Sequence, residues 1–296
     1  MKIALTGSTG LVGTALSAAL DGAGHDLVRL VRHAPTGSGE AQWDIADGTI
    51  DTRALEGVDA IIHLAGENIG QRWSESVRRR VLESRVEGTR LIAETAAALP
   101  GKPILVCASA TGYYGNREDA VDESAPRGEG FLAEVVEQWE AAAEPARAAG
   151  LRVVHLRQGI ILTKHGGALQ RMLLPFKLGV GGKIGSGAQW WSWVSLDDAV
   201  YAYLFALEHP LEGPVNVTAP EAGTNSDFTK ALGRALHRPT ILPVPAFAIT
   251  AAFGEMGREM LLEGQHVVPE KLLRSDFVFT YPDLDSALAR ALSDSP

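Results

Sequence analysis

The sequence predicts an α/β fold: a doubly wound parallel sheet with helices on both faces and a smaller, discontinuous C-terminal lobe. Two observations lead to this prediction. Over residues 1–160, short apolar runs alternate with longer helical patterns, as in proteins with a covered parallel sheet. After residue 160 the pattern loosens into segments broken by glycine and proline. The predicted units are residues 1–160, which form the sheet, and residues 161–296, some of whose segments return to it.

The composition of each run predicts the individual elements. Strand candidates are rich in Val, Ile and Leu, and helix candidates carry apolar residues at helical spacing. Strands are predicted at Lys2–Thr6, Asp26–Arg32, Ala41–Asp44, Asp59–Ala65, Pro103–Ser109, Arg152–Arg157 and Pro214–Val217, and helices at Leu11–Gly22, Ser74–Leu99, Gly130–Ala149 and Leu196–Glu208. Because crossovers between parallel strands are right-handed, the C-terminal ends of the strands lie along one edge, where ligands bind.

Composition and charge exclude several classes of protein. The 296 residues carry a formal net charge of −9, so a nucleic-acid partner is not expected. The single cysteine, Cys107, lies in an apolar run typical of a buried strand and permits no disulfide framework. No apolar run reaches the roughly 18 residues that span a bilayer, and because Met1–Leu5 has the pattern of a strand, we expect no signal peptide. We therefore expect a cytoplasmic protein with no metal site and no membrane partner.

The first predicted strand leads directly into a glycine-rich turn and a helix, Thr6-Gly7-Ser8-Thr9-Gly10-Leu11-Val12-Gly13. In this spacing Gly7 permits a tight turn, Gly10 lets the backbone approach a pyrophosphate, and Gly13 lets the helix press on the strand. The free N–H groups and the dipole of the first helical turn attract phosphate. The order strand, turn and helix therefore predicts a dinucleotide-binding, Rossmann-like domain.

The end of the second predicted strand distinguishes NADP(H) from NAD(H). An NAD-selective domain carries an acidic residue there for the ribose hydroxyls, whereas this strand ends Arg32-His33. A guanidinium favours the 2′-phosphate of NADP(H) through charge-assisted hydrogen bonds, and a solvated arginine is the alternative. Asp44 can reach the adenine edge with Trp43 beside it, and the small residues of Leu64-Ala65-Gly66 let backbone pass close to the cofactor. His63 is expected to be a hydrogen-bonded histidine without a catalytic role.

Several motifs resemble those of the extended short-chain dehydrogenase/reductase superfamily. They are Gly7–Gly13, His63–Gly66, Ser109–Gly115, Arg157–Gly159 and Trp193–Ala199. The C-terminal part is similar to one atypical subgroup, whose members are called epimerase family proteins or nucleoside-diphosphate-sugar epimerases. The matching segments are Leu242–Phe247, Gly254–Met256, Leu261–Gln265, Val268-Pro269, Lys271–Leu273 and Phe277–Pro282. The resemblance implies an NADP(H)-binding protein and leaves the reaction open.

The cofactor-binding residues follow from the motifs and from this resemblance. Glu67 and Arg72 come just after the fourth predicted strand, so they are expected on the nicotinamide side. Arg85 stands where many members of the superfamily carry an Asn. The full predicted set is Gly7, Ser8, Thr9, Gly10, Leu11, Val12, Arg32, His33, Trp43, Asp44, Leu64, Ala65, Gly66, Glu67, Arg72, Arg85, Ser109 and Ile160.

The acid–base pair of the superfamily is missing. Its members use a tyrosine with a lysine four residues later, and none of the five tyrosines here has a lysine at that spacing. By resemblance the two positions fall on Leu132 and Val136, whose side chains cannot transfer a proton. Ser109 remains where the superfamily has its serine, and Tyr113 follows on the same edge of the sheet. Ser109 and Tyr113 are therefore the predicted catalytic residues.

Two functions remain open. The first is an NADP(H)-dependent oxidoreductase or epimerase-like enzyme acting on a small polar or phosphorylated substrate. The second is a catalytically reduced NADP(H)-binding regulatory protein, which the missing pair favours. A non-enzymatic interaction module is a third reading and rests only on names given to similar sequences.

Two further features each have two interpretations. The rings of Trp190, Trp191 and Trp193 can stack on a flat substrate, or at least Trp193 belongs to the core. The long predicted helices Ser74–Leu99 and Gly130–Ala149 can pair two copies of the chain, but they would also be amphipathic in a monomer. Both a monomer and a homodimer are compatible with the sequence.

Overall fold

The computed structural model describes residues 1–293 and confirms the predicted α/β fold. In that range the strands are β1 (Lys2–Thr6), β2 (Asp26–Val31), β3 (Glu40–Asp44), β4 (Thr49–Ile50), β5 (Ala60–His63), β6 (Ile104–Ala110), β7 (Ala120–Val121), β8 (Val153–Gln158), β9 (Ile160–Leu162), β10 (Trp190–Trp191), β11 (Trp193–Ser195), β12 (Gly213–Val217), β13 (Gly223–Thr224) and β14 (His266–Val267). The helices are α1 (Leu11–Gly22), α2 (Glu75–Ala98), α3 (Phe131–Ala141), α4 (Glu144–Ala148), α5 (Gly167–Lys177), α6 (Leu196–Glu208), α7 (Asn225–Leu236), α8 (Ala246–Phe253), α9 (Glu255–Gly257), α10 (Glu270–Arg274) and α11 (Leu284–Leu292).

The centre of the molecule is an eight-stranded sheet in the order β12-β8-β6-β5-β1-β2-β3-β4. All neighbouring strands are parallel except β3 and β4, which are antiparallel at one edge. From β1 the chain builds outward through β2 and β3, and then returns to the other side of β1 with β5. The strand order therefore reverses between β1 and β5, and doubly wound proteins bind ligands in the crevice at such a reversal.

Helices cover both faces of this sheet. On one face Leu16 of α1 and Tyr203 of α6 share a buried cluster with Ile3 of β1. On the other face Ile92 of α2 packs in a second cluster that includes Ala4, the next residue of β1. Successive side chains of a strand point to opposite faces, so one apolar strand supplies both cores.

Most predicted boundaries are correct to within one or two residues, but the predicted helix Gly130–Ala149 is wrong. It is two helices, α3 and α4, with a break between them. Pro145 lies in the first turn of α4. Proline has no N–H group and its ring collides with the carbonyl four residues earlier, so a continuous helix through it is disfavoured. At the other boundary that matters, β2 ends at Val31, which leaves Arg32 in the following loop.

The smaller lobe is discontinuous, as predicted. β12 leaves it to become the outermost strand of the main sheet beside β8. The remaining elements have a core of their own, which contains Trp193, Phe228 of α7 and Leu288 of α11. The division at residue 160 stays a prediction. Among residues 1–293, every helix is too short or too polar to cross a membrane.

Candidate functional site

The loop between β1 and α1 is shaped by contacts that require glycine. Gly7 has φ +68°, and a Cβ there would lie 3.0 Å from the backbone N of Ala65. A Cβ on Gly13 would lie 2.0 Å from the carbonyl oxygen of Gly7, so α1 presses directly on the loop. Gly10 differs, because its φ is −75° and its Cβ would approach only that Gly7 oxygen, at 3.2 Å. The protein's own packing therefore requires Gly7 and Gly13, whereas Gly10 mainly keeps space free outside the loop.

The first turn of α1 has no side chain that satisfies its N–H groups. Gly10 is the N-cap residue, no side chain among residues 1–293 caps the helix, and the first turn contains no acidic residue. The helices α5, α8 and α10 also have no side-chain cap at their first turn, whereas the side chains of Ser74, Ser195 and Asp283 cap α2, α6 and α11. Uncapped N–H groups at the positive end of a helix dipole fit a pyrophosphate, the group that a dinucleotide would place there.

Thr6, the last residue of β1, connects this loop to the end of β5. Its Oγ1 accepts hydrogen bonds from the backbone N of Leu64 and of Ala65, at 3.0 and 3.2 Å. The Thr6 hydroxyl can therefore donate its proton to Nδ1 of His63, 2.8 Å away. Burial, and then the Arg85 guanidinium, lower the pKa of His63 to about 4, so the ring is neutral near pH 7. The prediction that His63 is a hydrogen-bonded histidine is confirmed.

The loop that follows β2 and the last residues of β3 contain the residues predicted to contact the adenosine part of the cofactor. Arg32 and His33 are exposed, and Arg32 forms no ion pair with any residue of the described range 1–293. Asp44 is partly buried, and its Oδ1 accepts a hydrogen bond from the backbone N of Ala46 at 2.8 Å. Trp43 is 2% exposed and meets the His63 ring edge-on, with 5.9 Å between the ring centres. Trp43 therefore belongs to the core beneath the C-terminal ends of β2 and β3, whereas the Arg32 side chain is exposed to solvent there.

After β5, the backbone of Gly66 and Glu67 packs against the side chain of Arg85 from α2. The Arg85 guanidinium donates to the carbonyl oxygen of Glu67 at 3.1 Å, and its Cζ lies 3.3 Å from the position of a Cβ on Gly66. Burial lowers the pKa of Arg85 to about 10 although the Glu67 carboxylate opposes the shift, so the side chain stays charged near pH 7. The Glu67 side chain accepts a hydrogen bond from Gln71 at 3.1 Å. Arg72 is exposed, and within residues 1–293 it forms no ion pair with Glu67.

A cavity of about 380 Å³ opens beside this point, between the ends of β6 and β8, helix α3 and the C-terminal segment. Its walls are mostly apolar. The apolar side chains include Leu11, Leu132, Val136, Trp139, Ile160 and Trp190, and the polar ones include Thr111, Gln158, Ser192, Glu259 and Gln265. Arg85 is the one basic side chain among the described lining residues. The cavity therefore combines one positive charge, on Arg85, with the carboxylates of Glu129, Glu259 and Glu263 in otherwise largely apolar surroundings.

Helix α3 forms the wall in which the superfamily has its tyrosine and lysine. Leu132 and Val136, which resemblance placed at these two positions, both line the cavity. The N-terminus of α3 is held from the C-terminal segment, because the Glu259 carboxylate accepts hydrogen bonds from the backbone N of Phe131 and of Leu132, at 3.1 and 3.0 Å. Glu259 is thus engaged in capping α3, and the α3 wall presents aliphatic groups where a proton donor would stand.

Behind the cavity, a buried polar network connects β6, β8 and α3. Arg157 donates from Nε and Nη2 to the two carboxylate oxygens of Glu140, at 2.8 and 2.7 Å. Ser109 donates to the same carboxylate at 2.6 Å, and Arg157 also donates to the Tyr114 hydroxyl at 3.0 Å. Burial opposes ionisation of Glu140, but the hydrogen bonds and charge of Arg157 outweigh it and hold the Glu140 pKa below its usual value. The network is therefore a buried, ionised pair with its hydrogen bonds satisfied.

The two predicted catalytic residues belong to this network. The Ser109 hydroxyl donates to Glu140, and the Tyr113 ring lies under the Arg157 guanidinium, 3.5 Å from ring centre to Cζ. Neither residue lines the cavity. Their catalytic role stays a prediction that this geometry does not favour. Of the predicted cofactor residues, Leu11, Arg85 and Ile160 do line the cavity.

The tryptophan cluster divides between core and cavity. Trp193 is 1% exposed, which confirms the prediction that it is a core residue. Trp191 is also buried and packs edge-on against Phe228. Trp190 is only half-buried, stacks on His266 with 4.1 Å between ring centres, and lines the cavity. Trp190 is therefore the ring of the cluster best placed to meet a substrate.

Sequence reasoning missed Glu140 and Glu259. A signal for Glu140 was present, because Arg157 stands in an apolar strand and a buried guanidinium needs a carboxylate partner. No local pattern marks Glu259, because it lies 128 residues along the chain from Phe131, whose backbone N–H it caps at the start of α3.

A glycine-dependent turn and an uncapped helix N-terminus, placed where a doubly wound sheet reverses, define a dinucleotide-binding protein with a Rossmann-like fold. Comparison with known proteins agrees with this class. Residues 3–218 match the NAD dependent epimerase/dehydratase family, and residues 244–291 match a domain of unknown function, DUF1731. The chain belongs to the NAD dependent epimerase/dehydratase family.

Similar proteins match over nearly the whole chain. Epimerase family protein Mb2239 of Mycobacterium bovis is 46% identical over 292 residues, which cover 98% of this chain and 97% of that protein. The crystal structure of human epimerase family protein SDR39U1 (isoform2) with NADPH has a TM-score of 0.89 and 35% identity and covers 100% of both chains. The nucleoside-diphosphate sugar epimerase from Corynebacterium glutamicum has a TM-score of 0.82 and 34% identity, covering 99% of this chain and 58% of that one. The predicted resemblance to the epimerase family proteins is confirmed.

Proposed function

We propose that this protein binds NADP(H) across the reversal between β1 and β5. The pyrophosphate then lies on the first turn of α1 above Gly10, and the 2′-phosphate lies beside Arg32. Three observations support this placement: the uncapped helix N-terminus, the free space at Gly10, and the accessible guanidinium where an NAD-selective protein has an acid. The similarity to a human protein solved with NADPH supports the same cofactor.

The reaction best supported is hydride transfer between NADP(H) and a substrate in the cavity, which is an oxidoreductase activity. The observation that carries this proposal is the position of the cavity, which Arg85, Leu11 and Ile160 connect to the predicted cofactor site. When bound, the cofactor supplies or accepts the hydride. The apolar walls exclude water, Trp190 offers a flat surface, and Arg85 offers a fixed positive charge to an oxygen that gains charge.

Proton transfer is where this site differs from the superfamily. The α3 wall presents Leu132 and Val136, and several polar groups nearby are already engaged, while the exposed carboxylate of Glu129 also lines the cavity. The hydroxyl oxygen of Thr111 accepts a hydrogen bond from the Gln265 side chain at 3.0 Å, and the Ser192 hydroxyl donates to the Gln265 carbonyl at 2.8 Å. We therefore propose a substrate that needs no strong acid from the protein. The largely apolar lining also favours a less polar substrate than the sequence led us to expect.

The second candidate is an NADP(H)-binding regulatory protein with little or no catalysis. The observation that favours it is again the pair Leu132 and Val136, because positioned proton transfer typically contributes 10²–10⁴-fold to rate. The engagement of Ser109 with Glu140 points the same way. In this alternative the cofactor site is retained and the cavity serves to sense the state of the cofactor.

Two measurements separate these candidates. Calorimetric titrations with NADPH and NADH test the cofactor. NADPH oxidation with a panel of aldehydes, ketones, quinones and nucleotide sugars tests the chemistry, with Arg85→Gln as the cavity variant. Turnover that Arg85→Gln lowers supports the oxidoreductase, and tight NADPH binding without turnover across the panel supports the regulatory protein. Because the acid–base pair is missing, we expect no ordinary epimerase activity. Epimerisation of a UDP-hexose at an ordinary rate of about 10 s⁻¹ would contradict this expectation.

Three further expectations stay proposals. They are a cytoplasmic location, a monomeric or homodimeric state, and the lack of a nucleic-acid partner. The last still rests on the net charge of −9, which repels a phosphate backbone.

A further inference from the structure

Acidic residues are distributed very unevenly along this chain. Residues 145–196 contain seven Lys or Arg and no Asp or Glu, and residues 228–254 contain three Lys or Arg and no Asp or Glu. The whole chain has 36 acidic residues against 27 basic ones. Two acid-free stretches in an otherwise acidic protein concentrate positive charge wherever the fold brings them together.

The fold brings parts of these two stretches side by side. Nε of Arg238 donates to the carbonyl oxygen of Lys177 at 2.9 Å. The backbone N of Val244 donates to the carbonyl oxygen of Lys183 at 2.8 Å. The end of α5 and the loop after it therefore form one surface with the segment that leads into α8.

This surface is also strongly apolar. Large apolar side chains stand well out of it: Ile241 is 83% exposed, Phe247 76%, Leu178 69%, Leu242 56% and Val180 51%. The neighbouring helix α8 consists of seven apolar residues and Thr250, yet Ile249 is its one buried residue. A helix of a soluble protein normally buries its apolar side against the core. We call the five side chains, together with Lys177, Lys183 and Arg238, the basic apolar patch.

The positive charge of the patch is not neutralised locally. Lys177, Lys183 and Arg238 are exposed and form no ion pair with a carboxylate in the part of the chain that the structure describes. On the adjacent α7, Arg234 is paired with Asp285 at 2.7 Å and is therefore not counted in the patch. The three cations without an ion pair thus lie on the same joined segments as the protruding apolar side chains.

We propose that the basic apolar patch docks the protein on the surface of an anionic lipid bilayer. Apolar side chains that protrude this far enter the boundary between headgroups and acyl chains, whereas a protein partner would need a matching pocket for each. Lysine and arginine beside them keep their charges at the level of the lipid phosphates. A second copy is a poorer occupant, because a twofold interface would place the same cations against each other.

Docking of this kind revises one sequence-based expectation. The absence of a membrane partner was expected because no segment can span a bilayer, but a surface that lies on the bilayer requires no such segment. The patch is built from α5, α8 and their loops, so docking is independent of the cofactor site on the first turn of α1.

Vesicle flotation tests the charge of the patch. Vesicles of equimolar phosphatidylcholine and phosphatidylglycerol are compared with vesicles of phosphatidylcholine alone, at low and at physiological salt. The protein is expected to float with the anionic vesicles only, and less so as salt rises. Lys177→Glu with Lys183→Glu should lower the bound fraction at least about tenfold. The matched control, Arg53→Glu with Arg80→Glu, reverses two exposed cations elsewhere and should change it less than twofold.

A fluorescent label tests insertion of the apolar side chains. The one native thiol, Cys107, is 0% exposed, and burial raises its pKa to about 12, so a thiol-reactive dye labels Phe247→Cys selectively. Emission of an environment-sensitive dye at this position should shift to shorter wavelength with anionic vesicles. The control Val278→Cys, at a position 73% exposed but next to Phe277 of the main-sheet core, should show no shift. NADPH affinity should be equal in both labelled proteins.

Three results would overturn the proposal. The first is no flotation with anionic vesicles at low salt. The second is equal loss of binding in the patch and control variants. The third is a concentration-dependent dimer, measured by light scattering, that Phe247→Ser dissociates, since the patch would then bind a second copy.

Discussion

The phosphate end and the cavity end of the proposed cofactor crevice are built in opposite ways. At the phosphate end, one continuous segment, Thr6–Gly13, supplies the turn, the free space and the helix N-terminus. At the cavity end, the walls come from side chains far apart in the chain, such as Arg85, Leu132, Ile160 and Gln265. Binding a pyrophosphate needs backbone N–H groups and room, whereas chemistry needs particular side chains in particular positions.

This difference explains why the class of the protein is clear while its substrate is not. A local backbone motif works with few side-chain requirements, and its glycine spacing can be recognised directly. The cavity lacks the expected proton donors on α3, and several of its other polar groups, such as Glu259 and Gln265, hold the walls together. Five measurements test how the two ends of the crevice and the buried groups behind them are built.

The buried pair behind the cavity carries the largest expected effect on stability. Arg157→Leu leaves the Glu140 carboxylate buried without its partner, at 12% side-chain exposure, and should cost about 3–5 kcal/mol of unfolding free energy. Urea unfolding measures it. The double variant with Glu140→Leu should recover much of the loss, because no isolated charge remains. A loss below about 1 kcal/mol in the single variant would show that the pair does not hold this wall in place.

Gly10→Val should abolish measurable NADPH binding, by at least about a hundredfold, and leave the fold intact. The side chain would fill the space above the first turn of α1, while the backbone φ of −75° tolerates it. Calorimetry and thermal unfolding measure the two effects. Gly13→Ala is the control, because its Cβ would lie 2.0 Å from the Gly7 oxygen and should lower the stability of the apoprotein itself. Unchanged NADPH affinity in Gly10→Val would leave the turn with a structural role only.

Unfolding free energy should fall as pH drops from 7 to 5. Burial lowers the pKa of His63 and of His155 from 6.5 to about 4, so the unfolded chain binds these protons first. Their contribution is present above pH 6.5 and is lost as pH falls toward 4, by about 2 kcal/mol for each ring at pH 5. The lowered pKa of Glu140 acts in the same direction at lower pH, below its unfolded value of 4.5. Urea titrations at both pH values test this, and equal stability at pH 7 and 5 would contradict it.

Arg32→Ala should weaken NADPH binding about tenfold and leave NADH binding unchanged. The lost interaction is a charge-assisted contact to the 2′-phosphate, worth roughly 1.5–3 kcal/mol. Titration of both cofactors by calorimetry measures the ratio, with Arg53→Ala as a control for a change in net charge. Equal affinities of the wild-type protein for NADPH and NADH would remove the basis for NADP(H) preference.

The smallest effect is expected at the junction of the two ends. Glu67→Ala and Arg72→Ala should each weaken NADPH binding several-fold without lowering the thermal stability of the apoprotein. Arg72 is exposed and not paired with Glu67 among residues 1–293, so its guanidinium is available to the nicotinamide half, whereas Glu67 accepts a hydrogen bond from Gln71 and has carboxylate lone pairs left for the cofactor. A cofactor-bound structure with both side chains more than about 5 Å from any cofactor atom would show that they are ordinary surface residues.

The fold could be predicted further than the site. Local patterns placed every strand of the main sheet except the two-residue β4, and α1 and α6 agree with their predicted bounds to the residue. The break between α3 and α4 was missed, because the apolar spacing continues through Pro145. At the site, the glycine turn and Arg32 could be interpreted from local sequence. The partners of Ser109 and Tyr113 could not, because they depend on which way α3 and β8 direct their side chains.

Local residue identities are enough to predict the β1–α1 turn, the lack of an acid after β2, and the lack of the tyrosine–lysine pair. Each is a matter of residue identity at short spacing, which no packing can alter. In contrast, the three-dimensional packing is needed to show that Ser109 donates to Glu140, 31 residues away, and that Glu259 caps α3 from 128 residues away. It also decided that the two acid-free stretches meet beside α8. These contacts depend on chain crossings and side-chain directions, which short-range patterns do not encode.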